Sequence, residues 1–117
     1  PSHLPLMLKT TLDALRSARA YWKLPDAAKQ ERRRDLTEGL GEDPGIDRAV
    51  DAALAWIGRA QDRSASRDGG VARHFGLRDG WCTSYPETTG YIVPTLLECA
   101  RERDDAAMRA RAKRMLD

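Results

Sequence analysis

The chain has 117 residues, 41% hydrophobic and 32% charged, which is typical of one soluble globular domain with a modest core. Its 20 basic and 18 acidic residues leave a net charge of +2, too balanced to indicate a nucleic-acid-binding protein. No apolar run approaches the ~18 residues of a membrane span. The amphipathic start also lacks the apolar core and cleavage site of a signal peptide, so we expect a cytoplasmic protein without a membrane span.

The first predicted helix runs from about Leu6 to Trp22, because apolar residues recur there at steps of three and four. Its stripe is mostly apolar and consists of Leu8, Leu12, Leu15, Arg19 and Trp22, with Lys9, Arg16 and Lys23 beside it. After Pro25 a polar connector follows, in which we expect a short helix at about Ala27–Leu36. We therefore assign residues 1–45 to an amphipathic helix with its connector, and residues 46–117 to a second, helical region.

The second region begins with a helix that reaches about Gln61. One face carries Ile46, Val50, Ala53, Leu54 and Ile57. A long segment from Asp62 to Trp81 follows, with four glycines and two Asp-Gly pairs but no helical stripe. Long ordered loops of this kind tend to be functional, and Asp-Gly turns indicate one short β-hairpin.

After the Gly-rich segment, the next predicted helix contains the chemistry-rich stretch described below and runs to about Arg103. It should bury a broad surface, made of Tyr91, Ile92, Leu96, Leu97, Cys99 and Ala100. A last helix follows with Met108, Ala112 and Met115 on one face. The whole pattern predicts an all-α fold of antiparallel helical hairpins with at most one short β-hairpin.

Chemistry is concentrated in "GWCTSYPETTGYIVP", residues 80–94. Two N-caps compete at its helix start. Ser84 with Glu87 forms a capping-box pattern, whereas the residue before a proline avoids the α region, which favours Tyr85 as the N-cap. In the second case the Glu87 carboxylate is free to face a ligand. Pro94, inside the helix, predicts a kink.

We interpret this concentration of aromatic and polar residues as the rim of one pocket at the helix start. The aromatic rings would be those of Trp81, Tyr85 and Tyr91, although single aromatic residues more often belong to the core. Glu87 is the candidate acid/base, and the remaining polar candidates are Arg73, His74, Arg78 and Thr88. For these the simpler interpretations are a helix cap for Glu87, solvated loop residues for Arg73 and His74, and back-bonding to the preceding turn for Thr88.

Neither a metal nor a cofactor is expected. Cys82 and Cys99 are too few for a disulfide framework, and His3 and His74 stand alone, without zinc-type spacing. Cys82 near a helix start could be a reactive thiol, but no histidine lies at short spacing.

The segment from about Asp47 to Asp117 resembles the α/α-toroid proteins. The Ala-Trp…Ala-Gln…Asp-Gly-Gly element is similar to prenyltransferase and squalene-cyclase repeats, and "SYPETTGY" resembles bacterial toroid proteins associated with exopolysaccharide genes, related in shape to glucuronyl hydrolases and epimerases. The resemblance implies polysaccharide biosynthesis and a carbohydrate site. The chain departs from a toroid in length and lacks the cyclase Asp-x-Asp-Asp acid, so catalysis is an open question.

Three functions follow from these observations. The first is a carbohydrate-processing toroid protein, or its N-terminal part, that binds an oligosaccharide at a mouth formed by residues 68–91. The second is a non-catalytic helical interaction module that self-associates or binds a partner protein, or pairs with missing C-terminal repeats. The third is an isoprenoid-binding repeat, for which seven aromatic residues provide little apolar surface.

Overall fold

The structure is a computed structural model that describes residues 6–117, with side chains from Lys9 onward; His3 lies outside this range. The described chain is mostly helical, with one two-stranded antiparallel sheet, which confirms the predicted all-α fold with a short β-hairpin. The elements are α1 (Leu6–Trp22), α2 (Asp26–Glu38), α3 (Ile46–Asp62), β1 (Phe75–Gly76), β2 (Gly80–Trp81), α4 (Pro86–Glu102) and α5 (Ala106–Arg114).

The chain divides into two compact units, Pro1–Gly41 and Glu42–Asp117. The first unit consists of α1 and α2. A turn at residues 22–25 joins them, where the Leu24 N–H donates to the Tyr21 carbonyl at 3.0 Å. The Arg32 guanidinium lies 5.1 Å from the centre of the Tyr21 ring. No residue of α2 is buried, so this unit has no interior of its own among the described side chains.

The second unit has a small core made by the end of α3, the following loop, α4 and α5. Its buried apolar residues are Ala60, Val71, Ala72, Val93, Leu96, Ala100 and Ala112. Only the later part of α3 contributes, because Ile46 at its start is 78% exposed. The predicted apolar face of α3 is therefore only partly covered.

Gln61 joins α3 to the rest of the second unit. Its buried side-chain amide donates to the Gly69 carbonyl at 2.8 Å and to the Arg111 carbonyl at 3.0 Å, while its oxygen accepts from the Arg111 guanidinium at 3.1 Å. The same guanidinium donates to both carboxylate oxygens of Asp62, each at 2.7 Å. Polar contacts across fifty positions of sequence thus fasten α5 to α3.

Helix α4 packs against α5 and buries Thr89, Val93, Leu96 and Ala100, which recur at the three- and four-residue steps of one helix face. The expectation that Tyr91 and Leu97 are also buried is wrong: both are exposed, Tyr91 to 76%. Both fall beside the buried stripe rather than on it. The helix continues through Pro94; the kink remains a prediction.

Helix α5 begins at Asp105, whose carboxylate accepts from the Met108 N–H at 2.8 Å and caps the helix. Ala112 on its inner face is buried, and Met108 and Met115 are half-buried. The predicted face of this helix is confirmed.

Candidate functional site

The segment between α3 and α4 folds into an antiparallel hairpin with two separate paired parts. At its tip, Phe75 pairs with Trp81 and Gly76 with Gly80. Near its base, Ala72 pairs with Ser84. The turn between the strands ends at Gly80, which has a φ of +77°, a conformation that favours glycine. The predicted short hairpin is confirmed, and it positions everything that follows.

Trp81 lies in an aromatic cluster at the hairpin tip, which we call the tip cluster: Trp56 of α3, Phe75 and Trp81. The centre of the Trp81 ring lies 4.8 Å from the centre of the Trp56 ring and 5.0 Å from the centre of the Phe75 ring. Trp56 and Phe75 are exposed and Trp81 is half-buried. The cluster therefore both attaches the hairpin to α3 and presents an aromatic surface to solvent.

A chain of hydroxyl groups fixes the base of the hairpin. Ser66 Oγ donates to Ser84 Oγ at 2.9 Å and accepts from the Ser84 N–H at 2.8 Å. Ser84 Oγ in turn donates to the Asp68 carboxylate at 2.5 Å, and the Gly70 N–H donates to the other Asp68 oxygen at 3.0 Å. The Ser84 hydroxyl and then the Gly70 N–H lower the pKa of Asp68, so this carboxylate is charged at neutral pH.

Tyr85 is the N-cap of α4, with an extended backbone at φ −132° and ψ 117°. Pro86 therefore decides between the two caps, as its restriction on the preceding residue predicts. No side chain caps the helix here, and the Ser84 hydroxyl is bonded to Asp68. The capping box of Ser84 and Glu87 is absent, and Glu87 is exposed in the first turn.

A cavity of about 370 Å³ opens beside this helix start. Its walls come from the loop, the first turns of α4 and the end of the chain: Asp68, Gly70, Ser84, Pro86, Thr89, Gly90, Met115 and Asp117. Two carboxylates and no basic side chain line it. We call it the helix-start cavity. Its polarity suits neutral hydroxyl groups better than anions, because carboxylates accept hydrogen bonds and repel negative charge.

Thr89 and Thr88 differ in their surroundings. Thr89 is buried, and its Oγ1 accepts from the Val71 N–H at 3.0 Å, which joins α4 to the loop. Thr88 is half-buried. Tyr91 lies four residues after Glu87 and three after Thr88, so it neighbours each of them on the surface of α4.

Arg73 and His74 lie between Ala72 and β1, and both are exposed. The Arg73 guanidinium donates to the Cys82 sulfur at 3.6 Å. The Thr83 hydroxyl, 3.8 Å from that sulfur, and then Arg73 lower the pKa of the Cys82 thiol. The His74 carbonyl accepts from the Cys82 N–H at 3.0 Å. Arg78 is exposed in the turn between the strands.

The predicted site residues thus fall into two groups along the hairpin. Trp81 and Arg78 are at the tip, whereas Tyr85, Glu87, Thr88 and Tyr91 are at the base and on α4; Arg73 and His74 lie between the two groups. The four residue steps from Trp81 to Tyr85 extend over at most about 13 Å. A single binding site that used both groups would therefore be a long groove, and that arrangement remains a prediction.

Sequence reasoning missed Trp56, Phe75, Ser66 and Asp68. Phe75 could have been found, because a hairpin that turns at Asp79-Gly80 brings it opposite Trp81. Ser66 and Asp68 gave no signal, since a serine and an aspartate in a Gly-rich loop are ordinary turn residues. Their role appears only when the chain brings Ser84 back to them.

No protein family, curated protein or solved structure significantly matches this chain. The function must therefore be argued from the site itself.

Proposed function

We propose that the second unit is a carbohydrate-binding unit, and that the helix-start cavity holds one sugar of a neutral oligosaccharide. The cavity carries the proposal: residues of the 68–91 segment line it together with Met115 and Asp117, and its two carboxylates are acceptors for hydroxyl groups. A sugar presents many hydroxyl donors, which carboxylates accept with short, strong hydrogen bonds.

Tyr85 and Glu87 extend this site. Tyr85 is exposed and directly precedes the first cavity-lining residue of α4; an exposed phenol ring offers an apolar face and a polar edge to a sugar. Glu87 is exposed in the first turn and forms no capping box, so its carboxylate is available to hydroxyl groups. Acid/base catalysis by Glu87 needs a second group opposite it, so we propose binding and treat turnover as a separate assay.

The tip cluster supports a longer ligand. Trp56, Phe75 and Trp81 form an aromatic surface flanked by Arg78 in the turn and by Arg59, whose guanidinium lies 5.7 Å from the centre of the Trp56 ring. A chain of sugars that begins in the cavity could stack its further units there.

Glu87 does not line the cavity, so Glu87→Gln tests whether the site extends to this carboxylate. Because Glu87 makes no cap, only its interaction with the helix dipole is lost, and the free energy of unfolding should fall by less than about 1 kcal/mol. Binding of neutral oligosaccharides, measured by titration calorimetry, should weaken by at least about tenfold, as for a lost charge-assisted hydrogen bond. Glu98→Gln, an exposed glutamate further along the same helix, should leave binding unchanged.

The absence of binding to any member of a panel of neutral, amino and uronic-acid oligosaccharides would refute the carbohydrate proposal. A Glu87→Gln variant that loses stability and binds as the parent does would refute the extension of the site to Glu87.

Self-association is the alternative function, and a groove on the second unit favours it. This groove, of about 290 Å³, is lined by α3, α4, α5 and their connection. Its larger apolar residues are Leu54, Ile57, Leu96 and Met108, and the Asp51–Arg103 ion pair also lines it. Because both signs of charge occur there, two copies related by a two-fold axis could satisfy each other. Sedimentation velocity would detect such a dimer, and Leu54→Ser should weaken it.

A further inference from the structure

Helix α1 presents an unusually exposed amphipathic surface. Every residue from Lys9 to Ala20 is exposed, including Leu12 and Leu15. Leu15 is 67% exposed, and Trp22 at the end of the helix is 74% exposed. Helices in proteins are stabilised mainly by packing of an apolar face, and a free helix of this length is marginal in water. The exposed face of α1 therefore needs something to cover it.

Two basic residues of α1, Lys9 and Arg16, and Lys23 directly after the helix are aligned with its apolar stripe in the sequence. Lys9, Arg16 and Lys23 recur at seven-residue steps, and each directly follows a residue of the apolar stripe, at positions 8, 15 and 22. Seven residues are nearly two helical turns, so the three cations form a line beside the stripe. Asp13 is the only acidic residue of α1. The partner is therefore apolar at its centre and anionic beside it.

Arg19 distinguishes the two kinds of partner that fit this description. It lies four residues after Leu15 and three before Trp22, which places it within the apolar stripe. In a dry seam between two helices its charge would be desolvated without a partner. At a lipid surface its stem can lie along the acyl chains while the guanidinium reaches a headgroup phosphate. Leu and Trp on one face with Lys and Arg beside them are the composition of interfacial helices.

We propose that α1 lies on an anionic lipid surface, with Leu12, Leu15 and Trp22 in the interface and Lys9, Arg16, Arg19 and Lys23 near the phosphates. The apolar side chains supply burial, and the cations add attraction to the charged leaflet. This role concerns the first unit alone. None of the described helices is long and apolar enough to cross a bilayer, which agrees with attachment at the surface.

Vesicle co-sedimentation of the full chain tests the proposal. We expect binding to vesicles of phosphatidylcholine mixed with phosphatidylglycerol, and binding at least about tenfold weaker to pure phosphatidylcholine. The double variant Leu15→Ser/Trp22→Ser should bind the mixed vesicles at least about tenfold more weakly, because it removes two buried apolar groups. Leu40→Ser is the matched control, since Leu40 is fully exposed and lies outside α1.

Charge reversal gives a second, independent comparison. Arg16→Glu/Lys23→Glu should weaken binding to the mixed vesicles by about tenfold or more. Arg33→Glu/Arg34→Glu reverses the same number of charges on α2 and should have a clearly smaller effect. A circular dichroism spectrum of each variant shows whether its helices are retained.

Three outcomes would overturn the proposal: equal binding to neutral and mixed vesicles, equal weakening by the two charge reversals, or no binding to either vesicle. If the chain instead forms a dimer that Leu15→Ser/Trp22→Ser abolishes while vesicles have no effect, the face belongs to a second copy and the lipid assignment is wrong.

Discussion

The two units of this chain are both rich in helix, but they are held by different interactions. In the second unit, buried side chains and hydrogen bonds between distant residues join α3, the hairpin, α4 and α5. In the first unit, the described contacts are a turn, ion pairs three residues apart and the Arg32 guanidinium of α2 over the Tyr21 ring of α1. Helix formation therefore has different support in the two units. Helix α4 is stabilised by the residues that it buries, whereas the described side chains of α1 from Lys9 to Ala20 are all exposed.

Removal of a buried leucine should give the largest difference between the units. Leu96 of α4 is only 2% exposed, and Leu36 of α2 is 68% exposed. Leu96→Ala should lower the free energy of unfolding by about 2–5 kcal/mol, because it leaves a cavity. Leu36→Ala should change it by less than about 0.5 kcal/mol. Urea unfolding followed by circular dichroism checks both, and equal effects would contradict the comparison.

Two glycines with positive φ sharpen the same contrast. Gly69 has a φ of +86°, and a Cβ there would lie 2.5 Å from the Arg114 carbonyl oxygen. Gly39 has a φ of +64° with no atom within 4 Å of a Cβ. Gly69→Ala should cost about 2–4 kcal/mol, from backbone strain and the clash together. Gly39→Ala should lower the free energy of unfolding only by the backbone strain, about 1–2 kcal/mol. A larger loss at Gly39 than at Gly69 would contradict this comparison. Thermal unfolding of both variants measures this.

The buried amide of Gln61 allows a third comparison. Gln61→Ala leaves the Gly69 and Arg111 carbonyls without their donor and should cost about 1–3 kcal/mol. Gln30→Ala, on the exposed surface of α2, should have an effect within about 0.5 kcal/mol. The comparison needs only denaturant midpoints of the two variants. A neutral Gln61→Ala would mean that the connection between α3 and α5 does not depend on this amide.

The smallest expected effect concerns pH. The Arg111 guanidinium holds the pKa of Asp62 below its ordinary value of 3.8 by hydrogen bonding. Because the folded-state pKa is the lower one, this stabilisation is present above about pH 4. It is lost as the pH falls through the folded-state value. Both side chains are partly exposed, so it amounts to less than about 1 kcal/mol.

Asp62→Asn tests this dependence. The variant should be less stable than the parent at pH 7, and the difference should shrink as the pH is lowered from about 4. Asp13→Asn, in an exposed pair of α1 at 3.5 Å, is the control and should give no such change. A difference for Asp62→Asn that persists at acid pH would assign its cause to packing.

Local patterns predicted the elements of this fold because helices and tight turns depend on neighbouring residues. The periodicity of α1 and the Asp79-Gly80 turn of the hairpin were each sufficient. The restriction before Pro86 favoured the N-cap that the structure has, while the sequence left Ser84 open as well. The same patterns failed where a distant residue decides. The sequence did not show that the Ser84 hydroxyl bonds to Ser66 and Asp68, which lie 18 and 16 residues away. Tyr91 is exposed, because α4 packs along the stripe of Thr89, Val93 and Leu96. The cavity at the helix start depends on all of these contacts and could be anticipated only as a region.

Hydrogen–deuterium exchange of the full chain in solution tests most directly whether the two units differ as described. We expect slow exchange at the amides of α4 and at Val71 and Tyr85, whose N–H groups donate to Thr89 Oγ1 and to the Val71 carbonyl. The amides of α1 should exchange at nearly the rate of an unstructured chain, because no packing protects them. Equally slow exchange in α1 and α4 would contradict the account.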